Sequence, residues 1–168
     1  GQHERSEWFG CACCPGNICR FLPSLPGYIY ATKDNQLYAN LYVNSTANIT
    51  IDGTLTEVEQ ITKFPNDGKI SIRLNPKESK KIDLMLRIPS WVSSEPVPTD
   101  LYQFSNKKKA DIEVTINGKK QNVDVKNGYI SISRVWSGDD IVELTLPLDI
   151  KILRATPTTN ADFTTLVR

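Results

Sequence analysis

No cysteine follows Cys19 in a chain of 168 residues, and the only histidine is His3. A complete four-ligand metal site therefore cannot be assembled from this chain alone. An excess of one charge is missing too: Lys plus Arg is 20 and Asp plus Glu is 19, a formal net charge of +1. That balance argues against a nucleic-acid or membrane-surface role driven by bulk charge. No apolar run approaches the roughly 18 residues that a transmembrane helix needs. Gly1 to Arg5 hold no apolar stretch of signal-peptide type. Acidic residues are scattered, and no pair is marked by spacing as an acid/base couple.

What is present is ordinary for a globular protein. Hydrophobic residues make up 39% and charged residues 23%, too apolar for disorder. One domain is the default, with room for two small ones. A chain of this length buries roughly 70% of its unfolded surface and needs no disulfide staples. A Gly1 start without Met reads as a processed or excised piece of a longer protein.

The chemistry is concentrated near the start. Cys11, Cys13, Cys14 and Cys19 fall within nine residues. A disulfide framework ties together distant parts of a small domain, which one short window cannot do. A bridge between the neighbours Cys13 and Cys14 would be strained. Thiolates bind zinc, yet a structural zinc site usually draws on two separated pairs. Burial as small apolar side chains is the bland alternative. Three cysteines in four positions favour metal ligation or catalysis over it.

Pro15 suits the first turn of a helix. Ile18, Phe21, Leu22 and Leu25 then share one helical face, and Pro23 and Pro26-Gly27 end the pattern. The cysteines sit at the N-terminal side of this helix, where exposed N–H groups favour a thiolate. From Tyr28 the period changes to two. Tyr28–Ala31 and Leu37–Val43 flank the turn-prone Lys33-Asp34-Asn35. Asn48–Ile51 leads to Asp52-Gly53. Thr54–Thr62 reads as a strand with a bulge. Ile70, Ile72 and Leu74 alternate, as do Ile82, Leu84, Leu86 and Ile88. Ile112, Val114 and Ile116 run to Asn117-Gly118, and Val123 and Val125 to Asn127-Gly128. Ile130 and Ile132 follow, then Val142, Leu144 and Leu146, then Leu148, Ile150 and Ile152. Roughly nine to eleven short strands with regular turn signals indicate an antiparallel β-sandwich or barrel. Clean alternation gives each sheet one wet face, hence two sheets on one core. Ser93–Lys109 reads as a long loop with a solvated Lys107–Lys109 run, and Thr156–Asn160 as another loop.

Trp91 and Trp136 fit plugs at the open ends of a sandwich better than platforms for sugar rings. Asn44-Ser45-Thr46 and Asn48-Ile49-Thr50 match the glycosylation pattern, which polar strand edges also produce by chance.

The run Arg5–Arg20, with Gly10-Cys11-Ala12-Cys13-Cys14-Pro15 at its centre, closely resembles glycoside hydrolase family 127, the β-L-arabinofuranosidases and relatives. Tyr28–Ala31, Asn40–Tyr42, Leu86–Trp91, Ile116–Gly118, Arg134–Asp139 and Leu144–Pro147 also resemble that family, so the likeness spans nearly the whole chain. It implies an (α/α)6 barrel carrying the active site, followed by β-sandwich modules. Residues 1–27 would be the last piece of the barrel, and residues 28–168 an all-β, jelly-roll-like sandwich that packs on the missing helices. The implied chemistry is retaining hydrolysis of an L-arabinofuranoside-type glycan, with a cysteine thiolate in place of the usual carboxylate nucleophile. In the family, zinc is held by a glutamate and three cysteines. Cys13 matches a zinc ligand and the proposed nucleophile, and Cys14 matches a second ligand. Cys11 lies beside the site without an assigned role, and Cys19 is expected to pack.

The family's other zinc ligands and its glutamate acid/base lie upstream and have no counterpart here. With two matched ligands, zinc should be absent or weakly held. Two other readings compete: a free-standing carbohydrate-binding sandwich using Trp91 and Trp136, and a small zinc or redox module. Residues 1–168 alone are expected to be inactive on an aryl β-L-arabinofuranoside; turnover above the blank would refute this.

Overall fold

The computed structural model of the chain describes residues 4, 13–92, 95–105 and 111–157, and residues 164–167 as backbone. His3, Cys11 and Lys107–Lys109 lie outside the described residues. The helix α1 (Cys13–Ser24) runs into a 3₁₀ turn over Leu25–Tyr28. Six strands follow before the first long connection: β1 (Tyr30–Lys33), β2 (Gln36–Ala39), β3 (Ser45–Ile51), β4 (Thr54–Thr62), β5 (Lys69–Pro76) and β6 (Lys80–Arg87). Next come β7 (Tyr102–Phe104), β8 (Glu113–Ile116), β9 (Lys119–Lys120), β10 (Val125–Lys126) and β11 (Tyr129–Trp136). The last are β12 (Ile141–Thr145), β13 (Lys151–Ala155) and β14 (Thr164–Val167). No helix among the described residues is long and apolar enough to cross a membrane.

The strands make a five-stranded sheet, β1-β2-β6-β11-β10, and a six-stranded sheet, β3-β4-β5-β12-β8-β9. Alternate residues of each turn toward the other. Leu37 and Ala39, Ile82, Leu84 and Leu86, and Ile130, Ile132 and Trp136 line the first layer. Ile51, Val58, Ile70, Ile72, Leu74, Val114, Val142 and Leu144 line the second. All belong to one buried cluster, so the all-β sandwich expected from the period-two pattern is what forms. Burying each such aliphatic side chain stabilises the fold by about 1.5–3 kcal/mol. The tight turns are where the sequence signals them. Asp52-Gly53, Asn117-Gly118 and Asn127-Gly128 all take positive φ, from 44° to 79°. That conformation matches the twist of a two-residue hairpin, and glycine is the residue that adopts it without strain.

The structure corrects several details. The sheets are not antiparallel throughout: β2 pairs with β6 in parallel, with Leu37 opposite Leu84. The chain leaves β2 for the other sheet and returns only at β6. Alternation specifies which face a strand buries, not which strand becomes its neighbour. β4 has no bulge, because its residues pair one for one with β3 and with β5. That register turns Thr56, Val58, Gln60 and Thr62 inward and leaves Ile61 59% exposed. The Ser93–Lys109 stretch is not all loop, since β7 lies in it and pairs with β13, Leu153 opposite Phe104. β13, flanked by β7 and β14, is the centre of a third, three-stranded sheet. There Ile150 and Ile152 are exposed, against the expectation that they continue the inward row, and Leu153 is half-buried.

One glycine is held by a close approach. Gly68 O accepts a hydrogen bond from Leu146 N at 2.9 Å, and a Cβ at residue 68 would collide with the Leu146 carbonyl. Gly16, inside α1, has nothing within 4 Å of its missing Cβ. Gly68→Ala should lower the unfolding free energy by roughly 1–3 kcal/mol through this overpacking. Gly16→Ala should leave stability unchanged or raise it by up to about 1 kcal/mol through helix propensity. Denaturant titration of the two variants reads both signs.

Candidate active site

α1 carries the cysteines at its N-terminus as expected. Pro15 lies in the first turn, where its lack of an N–H removes no helical bond. Pro23 does not end the helix, which closes one residue later at Ser24, whose Oγ donates to Phe21 O at 2.7 Å. No residue of α1 is buried. The face expected to be apolar stands in solvent: Ile18, Phe21 and Leu22 are each more than half exposed. Cys13, Cys14 and Cys19 are exposed as well and form no disulfide. Within the described residues Cys19 therefore packs on nothing, and none of the three thiols is buried there. The helix face has no partner within the described residues, so periodicity alone was not enough to bury anything there.

The Sγ atoms of Cys13 and Cys14 lie 3.8 Å apart. A disulfide would need about 2.0 Å. Two sulfurs each about 2.3 Å from one tetrahedral metal would be about 3.8 Å apart. The pair thus has the span of one edge of a tetrahedral thiolate site. The rest of such a site is not assembled here, for no three His, Cys, Asp or Glu side chains converge among the described residues. The donor set fits half of a zinc centre, and the other half would have to come from Cys11 or from sequence beyond this chain.

The segment that follows the helix and its 3₁₀ turn is tied to both layers by polar groups that sequence reasoning missed. Ile29 O accepts from Asn40 N at 2.9 Å, which fixes the chain between the 3₁₀ turn and β1 against the end of β2. The Tyr30 hydroxyl lies 3.1 Å from Ser45 Oγ on β3 and accepts from Gln60 Nε2 on β4 at 2.8 Å. Asn44 Oδ1 accepts from Thr62 N at 2.6 Å, so this asparagine caps β4. The signal was present: Thr56, Gln60 and Thr62 occupy inward positions of an otherwise apolar pattern. Only the register reveals that those positions face in.

The tryptophans divide. Trp136 is fully buried, and its Nε1 donates to Ile82 O at 2.8 Å. Arg134 lies over its ring at 5.4 Å while bonding Asp140 at 3.0 Å. It is a plug and cannot stack on a sugar. Trp91 is half-buried and lines a cavity of about 230 Å³ with Pro96, Val97, Phe104 and Leu153. A carbohydrate-binding module resting on both rings therefore loses one of them.

Three comparisons bear on this arrangement. Residues 36–148 match the family model described as the beta-L-arabinofuranosidase, GH127 middle domain. The non-reducing end beta-L-arabinofuranosidase of Bifidobacterium longum subsp. longum is 29% identical over 166 residues, covering 95% of this chain and 22% of that protein. A solved GH127 beta-arabinofuranosidase is 39% identical with a TM-score of 0.90, covering 100% of this chain and 27% of its own. The GH127 beta-L-arabinofuranosidase of Geobacillus stearothermophilus T6 is 32% identical with a TM-score of 0.78, covering 99% and 24%. The chain thus spans about a quarter of the length of the relatives it matches.

The tyrosines at the helix-to-sandwich junction set a pH limit. Burial pushes the Tyr42 hydroxyl, which donates to Arg87 O at 2.6 Å, far above its ordinary 10.0. Burial also raises Tyr30, against the pull of its bonds to Ser45 and Gln60. The folded chain holds these protons where the unfolded chain releases them. Their stabilisation is complete below pH 10 and is lost as pH rises beyond it. The denaturation midpoint should fall between about pH 9 and pH 11, and Tyr42→Phe should flatten that slope. A midpoint independent of pH in this window would contradict the assignment.

Proposed function

The chain belongs to glycoside hydrolase family 127, and from that premise we propose that it is the part of a retaining β-L-arabinofuranosidase-type enzyme that supplies the cysteine nucleophile. Cys13 is that nucleophile, and Cys13 and Cys14 are two of the ligands of a zinc ion. Residues 1–27 end the catalytic helical barrel, and residues 28–168 are a structural sandwich. The observation that carries this reading is the 3.8 Å sulfur pair, exposed at the start of a helix and set in the Cys-Ala-Cys-Cys-Pro motif. The exposed face of Ile18, Phe21 and Leu22 supports it, because an apolar stripe on a helix is expected to pack on other helices.

In the proposed reaction, Cys13 Sγ attacks the anomeric carbon of an L-arabinofuranoside. The bond to the leaving oxygen breaks, and that oxygen takes a proton from a general acid upstream of this chain. Water then attacks the thioglycosyl carbon and gives its proton to the same upstream residue, now a base, which returns the sulfur as thiolate and yields the sugar with its configuration retained. When bound, zinc would hold the two sulfurs deprotonated at neutral pH. The sandwich orients the helix and takes no part in bond making. Its role is to hold the Cys13 sulfur where the barrel presents the sugar.

The substitution Cys13→Ser in the full-length protein tests the nucleophile. It should lower turnover of an aryl β-L-arabinofuranoside by roughly a thousandfold or more, as the loss of a covalent catalyst does, while the protein still unfolds in one cooperative transition. Turnover close to wild type would remove Cys13 from the reaction.

A further inference from the structure

The neighbour position beside β11 is only partly filled. β6 pairs with β11 along its whole length, from Tyr129 to Trp136. On the other side β10 pairs only Val125 with Ile130 and Lys126 with Tyr129. Ile88 N donates to Gly128 O at 2.7 Å. In an antiparallel ladder that bond fixes the alternation: residues 128, 130, 132, 134 and 136 aim their backbone groups at β6. Ser131, Ser133 and Val135 aim theirs the opposite way. Among the described residues, no backbone bond meets them there.

The path of the chain explains the gap. Residues 121–124 lead into β10 and could have continued it along β11. Instead Gln121 N donates to Val114 O at 2.9 Å, on β8 of the other sheet. The segment splays from β11 and leaves a trough of about 520 Å³, lined in part by Ile116, Gln121, Val123, Ile132 and Ser133. Edge strands are normally kept short, charged or covered, because an open one is a template for another strand. Along residues 131–135 the one charge is Arg134, and it is spent inside the protein. The outward side chains are Ser131, Ser133 and Val135, and Arg134 is turned to Asp140 at 3.0 Å.

We infer that an extended segment of the same polypeptide, from outside residues 1–168, adds as a strand to this edge and closes the sandwich. The relatives supply the reason to look there. This chain covers 22% to 27% of them, and the family model it matches is a middle domain, so most of their length lies elsewhere. The six backbone groups of Ser131, Ser133 and Val135 suit a strand of about five residues. Its alternate side chains enter the trough against Ile116, Val123 and Ile132, so those positions are aliphatic and the intervening ones polar.

Residue-resolved hydrogen exchange of the full-length protein and of residues 1–168 tests this. The Ser131, Ser133 and Val135 amides should exchange at least ~10-fold more slowly in the full-length protein, as ladder bonding protects them. In the full-length protein, Ser133→Pro removes the central donor facing the trough and leaves the β6 ladder intact. It should return Ser131 and Val135 to fast exchange while Ile130 and Ile132 stay slow. If this variant unfolds, Ile132 is lost as well, and the wild-type comparison decides alone. Equal rates in the two wild-type proteins would overturn the inference. Protection that grows with protein concentration would also overturn it, because the occupant would then be a second copy.

Discussion

Burial of the aliphatic rows between the two sheets is the constraint from which the other features follow. Ile70, Ile72 and Leu74 on β5 meet Ile82, Leu84 and Leu86 on β6 across a single core. Those six side chains are 1% exposed or less. Each row consumes one face of its sheet and leaves the other face polar. The core is therefore complete without α1, and the helix keeps its own apolar stripe in solvent. The same completeness leaves β13 and its two neighbours as a separate small sheet, outside the main cluster. The sandwich thus supplies the stability, and under the proposed function the residues before Tyr28 hold the chemistry.

Between these parts lies the polar junction of Tyr30, Asn44, Ser45 and Gln60. Its hydrogen bonds join the exit of the helix to strands of both layers. A buried amide at Gln60 is costly unless bonded: its Nε2 meets two acceptors, Tyr30 Oη and Leu41 O, while its Oε1 is buried without a partner among the described residues. Such directional bonds set an orientation, whereas aliphatic contacts set mainly a separation. A sulfur nucleophile needs the first, because a misplacement of about 1 Å can cost a hundredfold in rate. On this account the junction belongs to positioning and the core beneath it to stability.

Much of this was legible in the residues. The strands of the core announce themselves through Ile70-x-Ile72-x-Leu74 and similar rows, and three hairpins through Asx-Gly pairs with positive φ. The helix and the placement of its cysteines could be read from Pro15 and the Ile18, Phe21, Leu22 spacing. The misses have physical causes. The inward face of β4 carries Thr56, Gln60 and Thr62 beside Val58 because its neighbours dictate the register, which leaves Leu55 and Ile61 of its apolar set off that face. The parallel contact of β2 with β6 joins segments more than forty residues apart in sequence, and alternation carries no record of partners. β7 is a three-residue strand, too short to show a period. The sulfur pair stood out through its spacing, yet its 3.8 Å separation belongs to the helical turn and not to the motif.

X-ray absorption at the zinc edge of the full-length protein tests the account at its centre. It should show sulfur neighbours at about 2.3 Å, and Cys13→Ser and Cys14→Ser should each remove one of them. A zinc shell made of nitrogen and oxygen alone, or a sulfur count that neither substitution changes, would contradict it.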